Sequence, residues 1–189
     1  MTPPAISNVV GFDDFPFPSA HRGNVQVVGA VFSCLRLDGI LSGSIRRDGA
    51  NATRRLAELV TGSKFAPQVQ LVMLQGIALG GFNVVDIHVL HRLLSVPVLV
   101  IARRAPRMEA IKEALLTCVP GGQRKWQAIK RAGPMEPVGG VFVQRAGLSL
   151  DAASEVIRRF SVYGNIPEPL RMAHLIAGGI AKGESRGRA

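Results

Sequence analysis

The stretch NVQVVGAVFSCLRLDGILSGSIRRDG, residues 24–49, decides how the rest of the chain is read. It is rich in β-branched and apolar residues and carries Asp38-Gly39 between apolar runs, the dipeptide of tight hairpins. Residues 24–35 and the run that follows to Asp48-Gly49 are therefore expected to be antiparallel neighbours turning at Leu37-Asp38-Gly39-Ile40. Upstream, residues 9–15 form a short apolar strand that ends in Asp13-Asp14. Only a short loop with His21-Arg22-Gly23-Asn24 joins it to the next strand, so the helix that a flavodoxin-like doubly wound sheet needs there has no room.

The pattern then changes period. Ala52, Leu56, Leu59 and Val60 fall at helical spacing between Asn51, a capping residue, and Gly62. Residues 69–74 read as a fully buried parallel strand ended by Gln75-Gly76; residues 82–94 read as a helix after Gly80-Gly81, and 96–102 as a second buried strand. Helices are expected at 108–118 and 123–131, a strand at 141–144, a helix capped by Ser149 running to Phe160, and a last helix at 168–180 opened by Pro167 and followed by the tail 183–189. An antiparallel three-strand meander followed by parallel βαβ crossovers, with helices on both faces, is an α/β mixed sheet of ribonuclease H-like order. The 189 residues suit a single domain, 1–189.

Composition narrows the function. With 47% hydrophobic residues and mean hydropathy +0.23 the chain can bury a core, which excludes global disorder. Residues 96–102 are too short to span a bilayer and are flanked by His91-Arg92 and Arg103-Arg104; the first twenty residues lack a secretory pattern, so a cytoplasmic protein is expected. Cys34 and Cys118 are expected to be buried, reduced thiols. A net charge of +10, much of it in pairs such as Arg46-Arg47, Arg54-Arg55 and Arg103-Arg104, points to polyanions, DNA or RNA, with Arg46, Arg47, Arg54, Arg103 and Arg104 on phosphates. One Trp and one Tyr give little basis for a base-stacking platform.

Strand alternation sends Asp13 and Asp14 to opposite faces, and carboxylates at a strand end are a source of magnesium or manganese ligands. Asp48, beside Gly49, is a further candidate, against the alternative of a simple turn. Gln75, Gly76, Gly81, Asn83 and Asp86 form the loop beside this site; Asp86 also suits a helix N-terminus. His88 and His91 are expected to be packing histidines, and neither a P-loop nor a GxSxG elbow occurs.

Three segments together resemble a family known as domain of unknown function 99: Gly11-Phe12-Asp13-Asp14 with Pro16-Phe17, Met73-Leu74-Gln75-Gly76-Ile77 leading to Gly81-Phe82-Asn83-Val84-Val85-Asp86, and Ile166-Pro167-Glu168-Pro169-Leu170-Arg171-Met172-Ala173-His174. That family is similar to endonuclease V, a magnesium-dependent nuclease of ribonuclease H-like fold acting at deaminated purines. The resemblance implies that Asp13 is the first-strand catalytic aspartate and metal ligand, and that Arg171 and His174 help the site. It also shows departures. An aspartate is expected where Gln75 stands, and an acidic residue is expected among Asn51, Thr53 and Arg54.

The expected function is a nucleic-acid-binding protein that cleaves phosphodiesters through a rebuilt magnesium or manganese site at Asp13, Asp14 and Asp48, or that has lost cleavage. The alternatives are a non-catalytic interaction or small-molecule-binding protein using residues 76–83, and hydrolysis of a small phosphorylated metabolite.

Overall fold

A computed structural model describes residues 5–185. Seven strands form one mixed sheet in the order β3-β2-β1-β4-β7-β9-β8. The strands β1 (Asn8–Asp14), β2 (Asn24–Ser33) and β3 (Arg36–Arg46) are the antiparallel meander. After α1 (Ala52–Thr61), β4 (Leu71–Gln75) returns parallel to β1. Between β4 and α2 (Ile87–Leu94) lies a two-stranded hairpin of β5 (Ala78–Leu79) and β6 (Asn83–Val84). Then β7 (Val98–Ala102) pairs parallel to β4; α3 (Met108–Cys118) and α4 (Gly122–Arg131) follow, and β8 (Glu136–Val138) and β9 (Val141–Ala146) close that edge antiparallel. The helices α5 (Leu150–Phe160) and α6 (Glu168–Lys182) complete the chain. Among the described residues no helix is long and apolar enough to cross a membrane.

Alternation along the strands divides the core. Val10, Phe12, Val72 and Leu74 face α1 and α2 with Leu56, Val60 and Leu90; Val9, Leu71, Met73 and Leu99 face α5 and α6 with Ile157, Phe160 and Leu170. A smaller cluster of Val84, Leu115 and Ile129 ties α3 and α4 to the β5-β6 hairpin. Helix α6 lies so close to β1 that a Cβ at Gly11 would sit 2.6 Å from the Pro169 carbonyl carbon.

Four expectations need correction. The β2-β3 turn is Cys34-Leu35, not Asp38-Gly39: Ser33 pairs with Arg36, and Cys34 takes φ 52°. Asp38 is the extra residue of a β-bulge, since Val31 pairs with Gly39 and Phe32 with Leu37. Gly39 is there because the Phe65 ring fills the space of a Cβ. The helix expected from residue 82 starts only at Ile87, because residues 83–84 pair with 78–79 as a hairpin. Residues 136–138 form a short strand, β8, where no element was expected, pairing with β9 at the sheet edge. Cys34 and Cys118 are free but exposed, one in the two-residue turn and the other ending α3. The tail beyond residue 185 lies outside the described residues.

Candidate functional site

Strand β1 ends where its two carboxylates part. Asp13 continues the Val9-Gly11 side and meets α6; Asp14 continues the Val10-Phe12 side and meets the β5-β6 hairpin. Asp13 is buried, its Oδ1 accepts the Asp14 N–H at 2.9 Å, and its Oδ2 lies 2.9 Å from His174 Nδ1. The hydrogen bond to Asp13 holds His174 above its ordinary imidazole pKa, against half-burial and the nearby charge of Arg103. Burial, and then the neighbouring Asp13 charge, push Asp14 up to about 6, although Gly80 donates its N–H to Asp14 Oδ2 at 2.6 Å. Together with Pro16, Gly178 and Lys182 these three residues line a groove of about 190 Å³ between the end of β1 and α6.

Asp48 does not join them there. Its Oδ1 accepts the Phe82 N–H at 2.8 Å, its Oδ2 accepts from Arg47 Nε at 3.1 Å, and its own N–H donates to the Gly80 carbonyl at 2.9 Å. The residue takes φ 50° and acts as a clamp on the hairpin, whose Gly81 has no room for a Cβ beside Asp48 Oδ1. Gly80 is thus gripped twice, at its N–H by Asp14 and at its carbonyl by Asp48. Asn83, fully buried, finishes this network: its Oδ1 accepts the Ala52 N–H and its Nδ2 donates to the Arg46 carbonyl and to Asn51 Oδ1. Helix α1 is therefore capped by Asn83 from the hairpin, whereas Asn51, the expected cap, makes no side-chain cap bond. Asp86 is the N-cap of α2 through Val89 N and is ion-paired to Arg131 at 2.6 Å.

Arg171 spends its guanidinium on the buried Glu168 through three bonds of 2.7–2.9 Å and lies over the Tyr163 ring, so it anchors the first turn of α6. Of the five arginines expected on phosphates, Arg47 is bound to Asp48, the Ser19 and His21 carbonyls and the Phe17 ring, and Arg54 is paired with Glu58. Arg46 is exposed at the end of β3. Arg103 and Arg104 are exposed just past β7, and Arg103 is close enough to His174 to act on its charge. His88 and His91 bond the Arg131 and Val96 carbonyls, as packing histidines do. Lys182 and Gly178 are site residues that the sequence reading did not single out; the spacing 174, 178, 182 on one helix was the available signal.

Gln75 ends β4 one residue beyond the Phe12–Leu74 pair, level with Asp13, and its Oε1 is buried with no hydrogen-bond partner. A family model described as endonuclease dU matches residues 6–181. The chain belongs to the endonuclease dU family. It is 54% identical to a UPF0215 protein of Deinococcus radiodurans over 98% of this chain and 94% of that one, and 44% identical to a UPF0215 protein of Methanosarcina barkeri over 96% and 94%. Among solved structures it superposes on an Archaeoglobus fulgidus protein of unknown function with TM-score 0.87 at 34% identity, covering 94% of this chain and 99% of that one. Endonuclease V of Ciona intestinalis, solved with a 24mer DNA containing an inosine followed by a ribo-adenosine, matches with TM-score 0.61 at 13% identity over 94% and 87%, a likeness of fold.

The donor set of this endonuclease dU family member bears on a cation. Asp13 and Asp14 line the groove and are hard donors, and magnesium commonly takes one or two carboxylates, completing its shell with water and substrate phosphates; the orphaned Gln75 oxygen is buried and does not line the groove. A paired-cation centre has no such support, since among the described residues no three His, Cys, Asp or Glu side chains stand together to hold an ion.

Proposed function

We propose that this protein is an endonuclease that hydrolyses a phosphodiester beside a deaminated nucleotide, deoxyuridine first, in the groove between β1 and α6. The observation that carries this reading is the buried Asp13 held against His174 at the mouth of a groove that also presents Asp14 and Lys182. The family description names deoxyuridine, and the endonuclease V of like fold was solved on inosine-containing DNA. One magnesium or manganese ion, held by Asp13 and Asp14, would supply charge to the phosphate and acidify a bound water. Asp13 accepts at Oδ2 from His174 Nδ1, which leaves Nε2 as the ring atom that exchanges a proton in the groove. Hydrolysis adds hydroxide to phosphorus and a proton to the leaving oxygen; His174 gives that proton through Nε2, and the proton of the attacking water is released to solvent, from which His174 is reprotonated. DNA is the first substrate to try, and RNA the second.

The test is cleavage of labelled deoxyuridine-containing, inosine-containing and unmodified oligonucleotides with magnesium or manganese. Wild type cuts the deaminated strands, and Asp13→Asn and His174→Ala lose at least about 100-fold in rate. No cleavage of any strand by wild type overturns the reading.

A second reading, a non-catalytic binding protein, draws on a different observation. An apolar cavity of about 200 Å³ lies beside the Gly76–Ala78 turn, lined by Ile77, Val100, Met108, Ile111 and Ile129 with little polar surface. Retention of oligonucleotides without cleavage would favour it.

A further inference from the structure

Helix α6 runs past the end of β1. Its first turn packs on Gly11, His174 meets Asp13 at the strand end, and the turns that follow set Ala177 into the core on one side and Gly178 and Lys182 along the groove on the other. The residues turned toward the groove are His174, Gly178 and Lys182, spaced four apart. Gly178 has no side chain to fill the space, and a Cβ built there would meet nothing nearer than Ser185 Cα at 3.9 Å. Lys182 is exposed and makes no hydrogen bond or ion pair among the described residues. Eight residues of helix are about 12 Å, roughly three nucleotides at the rise of one strand.

We propose that the His174-Gly178-Lys182 stripe of α6 is the track on which a substrate's sugar-phosphate backbone lies as it leaves Asp13, with Gly178 as the gap that admits it and Lys182 as a phosphate contact. The inference rests on the reading that this groove takes a nucleic acid, and it adds two positioning residues to it. A lysine in the last turn of a helix also suits the helix dipole, but that role does not change with the ionic strength of oligonucleotide binding.

The experiment is fluorescence anisotropy of a labelled 20-nucleotide single strand with one deoxyuridine, in EDTA to prevent cleavage, at several potassium chloride concentrations. Lys182→Ala is expected to weaken binding several-fold and to lower the slope of log affinity against log salt by about 0.7, the share of one phosphate on a single strand. Lys64→Ala, an equal charge change on an exposed lysine of the α1-β4 connection, leaves the slope unchanged. Gly178→Leu fills the groove and loses at least tenfold in affinity; Gly178→Ala, which favours the helix and meets no clash, gives a smaller loss in a fully folded protein. If Lys182→Ala behaves as Lys64→Ala and both Gly178 variants bind as wild type does, the track is wrong while nucleic-acid binding stands. If wild type itself shows no salt-sensitive binding, the track and the reading beneath it both fall.

Discussion

His174 Nδ1 and Asp13 Oδ2 stand 2.9 Å apart across 161 positions of sequence, and the contact exists because Gly11 lets α6 lie against the backbone of β1. The pair fixes which imidazole nitrogen faces the carboxylate and leaves the other for chemistry. The carboxylate is buried and the imidazole partly open, so the charge of one is sheltered while the other is reached from the groove.

The first prediction concerns that imidazole. In metal-free protein His174 titrates above its ordinary value; in Asp13→Asn it falls below it, because burial and Arg103, which oppose the proton, outweigh the Asp14 charge, which favours it. Proton NMR of the His174 ring in EDTA checks this. The sign for stability follows: a group whose folded pKa is raised contributes fully below the unfolded value of about 6.5, and its contribution is lost as pH rises through the folded value. Wild type should therefore lose its stability advantage over Asp13→Asn on going from pH 6 toward 9.

Asp14 moves stability in the same direction, in a more acidic window. Its pKa is raised from 3.8 to about 6 by burial and by Asp13, so the folded state holds a proton that the unfolded chain has released. The ionised group then costs stability, and unfolding free energy falls as pH climbs from about 4 to 6. Asp14→Asn keeps an acceptor for the Gly80 N–H and removes the titration. The difference in unfolding free energy from urea titration should shift in favour of the asparagine by on the order of 2 kcal/mol between pH 4 and pH 7. Equal pH profiles for the two proteins would contradict it.

What the sequence made legible follows from how local each signal is. The meander, the crossovers and the Ser149 cap rest on periodicity and single residues, and these alone place β1 to β4 and α5. The split of Asp13 from Asp14 follows from alternation. Asp38-Gly39 misled because the glycine is called for by packing and not by a turn: it has no positive φ, and the Phe65 ring, from further along the chain, occupies the space of its Cβ. The β5-β6 hairpin was hidden because two-residue strands have no period; it is held by Asp14, Asp48 and Asn83 from other elements. Lys182 fell beyond the helix expected at 168–180, and only the continuation of α6 to residue 182 beside the end of β1 brings it to the groove.

Asn83 offers a third prediction. Its amide satisfies one donor and two acceptors at once, accepting from the α1 N-terminus and donating to the Arg46 carbonyl and to Asn51 Oδ1 while fully buried. Asn83→Ala leaves these groups unsatisfied and should cost about 2–3 kcal/mol in chemical denaturation. Asn83→Asp still accepts from Ala52 but sets a carboxylate oxygen against the Arg46 carbonyl; it should be strongly destabilised at pH 7 and partly recover near pH 4, where the acid can donate again. A variant as stable as wild type at neutral pH would remove Asn83 from the network that shapes the hairpin.

The last prediction separates packing from chemistry at Gly11. A methyl there would lie 2.6 Å from the Pro169 carbonyl carbon and 2.8 Å from Leu170 N, both backbone atoms that cannot turn aside, so α6 has to move as a body. Gly11→Ala should cost about 1–3 kcal/mol. The larger effect is positional, since His174 sits on the same helix, one turn after Leu170, and any lift of α6 lengthens its contact with Asp13. The His174 titration should then shift back toward the ordinary imidazole value even though neither partner was changed, while the Asp14–Gly80 bond on the other face of the sheet is kept. A Gly11→Ala protein whose stability falls but whose His174 titrates as in wild type would show that the Asp13–His174 pair is held by something other than the approach of α6 to β1.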